Sequence, residues 1–219
     1  MSKDYWLRRW EQKEIGFHQS DFNSYLCRYW KKLYLNHDDT IFIPLCGKSL
    51  DIVWLCEQNY KVLGVEVSPV AVDSFFKENK FIPSINRCEQ FDRYRTERIC
   101  ILRGDFFNLK RKDLTEIKAV YDRASLVALP IEMRRMYASH LLEILPSDIQ
   151  ILLITCEYQQ SEMEGPPFSV SVNEVESLFY RNSSISLLER KDILDQYPKF
   201  YKRGIREMYE NIFLLTLNK

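Results

Sequence analysis

Gly47-Lys48-Ser49 ends the way a phosphate-binding P-loop ends. A P-loop also needs a glycine five residues before that Gly, so that backbone amides from both ends of the loop wrap the phosphates; here the position is Phe42. The triplet therefore cannot cradle a triphosphate. The dinucleotide pattern G-x-G-x-x-G fails too, because Gly47 is the only glycine between Ile41 and Asn59. What is left is one glycine, which lets one ligand approach closely. Glu66 follows nineteen residues later, at the end of the next apolar run. Open α/β sheets place a carboxylate there to accept hydrogen bonds from two ribose hydroxyls. A nucleoside with free ribose hydroxyls and no pyrophosphate fits this pair, which favours S-adenosylmethionine (SAM) over NAD or ATP. The competing reading of Glu66 is a surface acid at a strand end.

A second constellation is Asp122-Arg123, followed by the loop ASLVALP. Arg123 is the one cation the pattern places in a pocket. A methyl group moving from a sulfonium to sulfur needs a thiolate nucleophile, and a neighbouring guanidinium favours the thiolate by lowering the thiol pKa. Arginine keeps its charge when partly desolvated. A structural pair of Arg123 with Asp122 or Glu66 accounts for the same residues. Trp6, Trp10 and Phe17 cluster near the start, and GPPF (165–168) is a rigid turn ending in Phe168. Aromatic faces attract a sulfonium and pack flat heterocycles, so these rings could roof the site. Core packing is the alternative for each. His18 stays outside the catalytic set, because methyl transfer to a thiolate needs no late proton removal.

Such residues need a scaffold that gathers strand ends. Phe22, Tyr25, Leu26, Tyr29, Trp30 and Leu33 recur at helical steps, with Asp21 as a candidate cap. Strands are expected over 40–44, 61–67, 98–102, 118–122 and 149–156. Helices are expected from Ser49, from Ser68-Pro69 and from Pro130 to about residue 145. That alternation is the pattern of a doubly wound parallel sheet. Ser171-x-x-Glu174 reads as a capping box, and 185–190 and 210–217 as closing strands paired antiparallel. A chain of 219 residues without repeats or linkers reads as one domain, 1–219, in which residues 1–36 form a helical cover over the cofactor crevice.

Thirty-one basic and thirty-one acidic side chains cancel, so no charge footprint points to nucleic acid or an anionic membrane. Lys110-Arg111-Lys112 and Arg134-Arg135 read as solvated faces. Six cysteines without a C-x-x-C pair, and three scattered histidines, make a metal site unexpected; the cysteines read as reduced thiols in a cytosolic interior. The amino-terminal stretch lacks the apolar core of a signal peptide and no run is long enough to span a membrane, so a cytoplasmic location is expected.

The segments YWLRRW…GFHQ (5–19), IPLCGKSLDIVWL (43–55), VLGVEVS (62–68), YDRASLVALP (121–130), GPPFSV (165–170) and NIFLLT (211–216), in this order, resemble the thiopurine S-methyltransferase family, bacterial branch. The resemblance spans nearly the whole chain. It implies a Rossmann-like class I SAM-dependent methyltransferase with a seven-stranded, mostly parallel sheet and helices on both faces. It implies that Trp10, Leu45, Glu66 and Arg123 contact SAM or its product S-adenosylhomocysteine, with Trp6 and Gly47 nearby. Phe17 would lie over the acceptor and Arg123 between cofactor and acceptor, with Phe168 on the acceptor side. The implied acceptors are aromatic and heterocyclic thiols such as thiopurines, with selenium or tellurium species associated with bacterial relatives, and the implied state is a monomer. Eukaryotic members carry an acceptor-assisting arginine near the carboxyl-terminal loop; here Lys199, Lys202 and Arg203 stand in that region. Two rival functions are a nicotinamide-dependent oxidoreductase on a similar sheet and a non-catalytic SAM-binding protein.

Overall fold

In the computed structural model, residues 3–88 and 90–218 are described, and the side chain of Lys199 lies outside the described residues. Short, apolar, β-branched runs form the central strands, as burial on both faces requires. Six strands belong to a first unit that ends at Tyr121: β1 (Thr40–Ile43), β2 (Lys61–Glu66), β3 (Ser84–Arg87), β4 (Asp92–Arg95), β5 (Ile99–Arg103) and β6 (Ile117–Arg123), the last running on into the second unit. They lie in the order β3-β4-β5-β2-β1-β6. Pairing is parallel for β1 with β2, β1 with β6 and β2 with β5, so the ends of these strands open at one edge. Ile41, Phe42, Val65, Ile101 and Val120 are fully buried in this core.

Helices α1 (Lys3–Glu11), α2 (Ser24–Tyr29), α3 (Asp51–Glu57) and α4 (Pro69–Glu78) complete the first unit. Ser68 caps α4 as its sequence predicts: the Ala71 N–H donates to Ser68 Oγ at 3.3 Å, with Pro69 at the first turn. The cap of α2 is Asn23 rather than Asp21; Asn23 Oδ1 accepts from the Tyr25 and Leu26 amides, while Asp21 reaches only the Phe22 amide. The helix also stops at Tyr29 and tightens into a 3₁₀ turn over Trp30–Lys32.

The second unit, Asp122–Lys219, contains α5 (Ile131–Ile144), β7 (Gln150–Tyr158), α6 (Val172–Phe179), β8 (Ser183–Asp192), α7 (Pro198–Tyr201) and β9 (Met208–Leu217). β9 lies between β7 and β8 and runs antiparallel to both, so the expected closing pair is present. Arg134 is a correction: it is buried, and its guanidinium forks onto Glu174 at 2.6 and 3.0 Å and donates to Leu129 O at 2.9 Å. It thereby locks α5 to α6. Ser171 Oγ still caps α6 by accepting the Glu174 N–H at 3.2 Å.

Nine strands are described, not seven. The additional pair is the β3–β4 hairpin, SINR and DRYR, which extends the sheet antiparallel from β5. All four β3 residues are exposed. Lacking an apolar alternation, they carry no strand signal in sequence. The six cysteines are unpaired, but Cys27 and Cys88 are exposed rather than interior. Among the described residues no helix is long and apolar enough to cross a membrane.

Candidate active site

The loop after β1 is built around two left-handed residues, Leu45 (φ 45°) and Gly47 (φ 54°). Leucine adopts that conformation only at a cost, so the surrounding contacts must hold it. One such contact is the Cys46 N–H donating to Val65 O at 3.0 Å. Gly47 is required twice over. Its φ is positive, and a Cβ there would sit 3.1 Å from Trp10 Cζ2, so the buried indole packs directly on the glycine backbone.

Glu66, at the end of β2, is 5 % exposed, which removes the surface-acid reading. The Gly47 N–H donates to its Oε2 at 2.9 Å and the Ser68 N–H to its Oε1 at 2.7 Å. Burial pushes its carboxyl up to about 7, against the pull of these backbone amides. A carboxylate offers about four acceptor positions, so beyond the Gly47, Ser68 and Val67 amides it keeps capacity for a further hydroxyl donor. These residues therefore fit a ribose diol.

The rest of the triplet has structural partners. Lys48 Nζ pairs with both oxygens of Glu78 at 2.7 and 2.8 Å, tying the loop to the end of α4. Ser49 Oγ accepts the Asp51 N–H at 3.2 Å where α3 begins. Neither is disposed as a phosphate ligand.

The amino-terminal aromatics contact one another. Phe17 meets Trp6 edge-on with ring centres 5.7 Å apart and Trp10 with centres 5.6 Å apart. Trp10 in turn rests on Gly47, so Trp6, Trp10, Phe17, Gly47 and Glu66 form one connected group. Sequence reasoning missed Asp51, which is 1 % exposed and accepts from the Asn23 N–H at 2.8 Å and from Tyr121 Oη at 3.1 Å. Its only signal is an acid at the first helical position, which the helix dipole alone explains.

In the second unit, Arg123 is half-buried at the end of β6, and Ala124 follows in a left-handed conformation (φ 60°). The neighbouring Asp122 is buried and accepts from Tyr137 Oη at 2.6 Å and the Leu126 N–H at 3.3 Å. Burial pushes its carboxyl up to about 6, opposed by the Tyr137 hydroxyl.

Phe168 is held at both backbone ends: its N–H donates to Val127 O at 2.7 Å and its carbonyl accepts from Cys156 Sγ at 3.5 Å. Its ring lies on Gly165, where a Cβ would stand 2.7 Å from the ring edge. Tyr158 Oη donates to Pro167 O at 2.6 Å and Ser169 Oγ to Tyr158 O at 2.6 Å, which ties the turn to the end of β7. Of the carboxyl-terminal cations, Arg203 Nη1 lies 3.9 Å from Met163 Sδ, and Lys202 is exposed at the end of α7.

Chemically, the first unit offers a hydroxyl-accepting acid beside a glycine bend and aromatic rings, and the second offers a guanidinium and a fixed phenyl ring. Residues 1–218 match the sequence profile of the family described as thiopurine S-methyltransferase (TPMT). A protein of Nitrosospira multiformis named thiopurine S-methyltransferase is 54 % identical over 215 residues, covering 98 % of each chain. Among solved structures, a SAM-dependent methyltransferase from Anabaena variabilis superposes with a TM-score of 0.65 at 13 % identity, covering 99 % of this chain and 95 % of its own. A Haemonchus contortus phosphoethanolamine N-methyltransferase 2 in complex with S-adenosyl-L-methionine gives 0.62 at 9 % identity, covering 88 % and 51 %. At these identities the two structures establish the shared class I methyltransferase fold.

Proposed function

This chain belongs to the thiopurine S-methyltransferase family, and from that premise we propose that Glu66, Gly47, Leu45, Trp10 and Trp6 hold SAM while Arg123, Phe17 and Phe168 serve the acceptor. The activity is SAM-dependent S-methyl transfer. The observation that carries the site assignment is Glu66: a buried acid, fixed by two backbone amides, with acceptor capacity left over. When bound, SAM supplies a methyl group on a positively charged sulfur.

The residues do the rest by binding and alignment. Glu66 accepts the ribose hydroxyls. Gly47 lets the nucleoside approach the backbone, and Trp10 and Trp6 give the sulfonium side an aromatic, water-poor wall. Arg123 would also contact the cofactor and would hold the acceptor sulfur as a thiolate, the nucleophile to which the methyl group would be supplied. Phe17 and Phe168 pack a flat heterocycle, so thiopurines and aromatic thiols are the acceptor class. Rate comes chiefly from in-line alignment in a dry pocket, and no general base is needed. Selenium and tellurium anions, also soft nucleophiles, form a second class to assay. The reading includes a cytoplasmic monomer, a compartment that suits six unpaired cysteines.

Calorimetric titration with SAM, S-adenosylhomocysteine and NAD tests the cofactor assignment: the first two should bind and NAD should not. Arg123→Ala should slow thiols of high pKa more than thiols already ionised. Equal losses across a graded series of thiophenols would remove Arg123 from its role.

A further inference from the structure

Residues 12–22 connect α1 to α2 and carry Phe17, the ring assigned above to the acceptor. The segment is held along its length: the Glu14 N–H donates to Arg9 O, the His18 N–H donates to Ile15 O, and Phe17 packs on Trp6 and Trp10. At its leading end Trp10 packs on Gly47; at its trailing end the Asn23 N–H donates to Asp51 Oδ1 at 2.8 Å. Asn23 is 5 % exposed and Asp51 1 % exposed, so water does not compete for this bond. The other Asp51 oxygen accepts from Tyr121 Oη at 3.1 Å, and Tyr121 is fully buried in β6 with its ring edge-on to Trp30 at 6.3 Å. Asp51 itself opens α3, directly after the loop that carries Gly47. One carboxylate therefore joins the trailing end of the aromatic segment to α3, the helix that follows the cofactor loop, and to Tyr121 of β6.

Burying an acid is costly unless hydrogen bonds repay it, and a helix start needs no buried acid. Part of the repayment here comes from the Asn23 N–H, at the end of the segment, and from Tyr121 Oη in β6. We propose that Asp51 is a positioning residue for acceptor binding: it pins residue 23, and through it sets where Phe17 lies. This rests on the assignment of Phe17 to the acceptor.

Asn23 permits a test that leaves the carboxylate in place. Its φ of −69° lies in proline's range, so Asn23→Pro deletes the N–H, and its ring, standing where that N–H points, also drives Asp51 Oδ1 away from residue 23. Asn23→Ala removes the same side-chain cap but keeps the N–H, and is the control for lost capping. Hydrogen exchange of residues 12–22 should accelerate about tenfold or more in Asn23→Pro relative to Asn23→Ala, the scale of a hydrogen bond to a carboxylate. The acceptor KM should rise several-fold in the same comparison while the SAM Kd changes less. Asp51→Asn retains an acceptor oxygen for the Asn23 N–H and should restore most of the KM, whereas Asp51→Ala should not. Identical exchange in the two Asn23 variants would overturn the pin. Phe17→Ala separates the two readings: if it raises the acceptor KM and Asn23→Pro does not, Asp51 has no positioning role. If Phe17→Ala leaves the KM unchanged, the assignment of Phe17 is what fails, and the role of Asp51 in acceptor binding falls with it.

Discussion

If Glu66 accepts the ribose hydroxyls, SAM binding should weaken in acid, because a protonated carboxyl loses acceptor capacity that the diol needs. Burial places the Glu66 carboxyl at about 7 in the free protein. At pH 8 roughly nine in ten molecules then carry the carboxylate, and at pH 6 roughly one in eleven. The apparent Kd for SAM should therefore rise about tenfold between pH 8 and pH 6, equivalent to about 1.4 kcal/mol. Binding at pH 7 should also release a fraction of a proton, because the bound diol favours the ionised form. Calorimetry in two buffers of different ionisation enthalpy reads both quantities. Glu66→Gln should bind SAM more weakly at pH 8 and lose the dependence. A Kd that is flat from pH 6 to pH 8 in the unsubstituted protein would refute the reasoning, as would an equal slope in Glu66→Gln.

Stability should run in the same direction. Glu66 is raised from 4.5 to about 7 and Asp122 from 3.8 to about 6, so between those values the folded protein holds protons that the unfolded chain has released. Stability of the ligand-free protein should then fall as pH rises from about 4 to 7. Thermal melts from pH 5 to 7.5 should show Tm declining, with a shallower slope in Glu66→Gln. Gly47→Ala introduces a Cβ at φ 54° and 3.1 Å from Trp10 Cζ2, and should cost about 1–2 kcal/mol by urea denaturation together with SAM affinity. A variant of unchanged stability and affinity would mean that the indole yields freely. Arg134→Ala strands Glu174 and the Leu129 carbonyl at the α5–α6 contact. After allowance for the partial exposure of Glu174, the loss should be about 2–4 kcal/mol in urea denaturation, without a selective change in acceptor preference. A loss below about 0.5 kcal/mol would show that the pair is not holding these helices.

The parallel strands were legible because burial on both faces demands unbroken apolar runs, as in TIFI and ICIL. The same rule hid β3, whose residues face solvent and are held by pairing with β4. Caps were legible where one candidate stood alone, as at Ser68, and misread at α2, where Asp21 was expected and Asn23, two residues nearer the apolar face, does the capping. Glu66 and Gly47 were legible as a pair at a characteristic spacing, whereas Lys48, Asp51 and Arg134 were not. Their partners, Glu78, Asn23 with Tyr121, and Glu174, lie 28 to 70 residues away in the chain.

By itself, the order of residues determined the α/β class, the absence of a P-loop and the placing of Glu66 and Arg123 at strand ends, because these depend on local pattern and on the backbone freedom of single residues. Tertiary structure alone decided which charges are buried and what each one holds. Desolvation and hydrogen-bond geometry depend on neighbours that only folding brings within 3 Å.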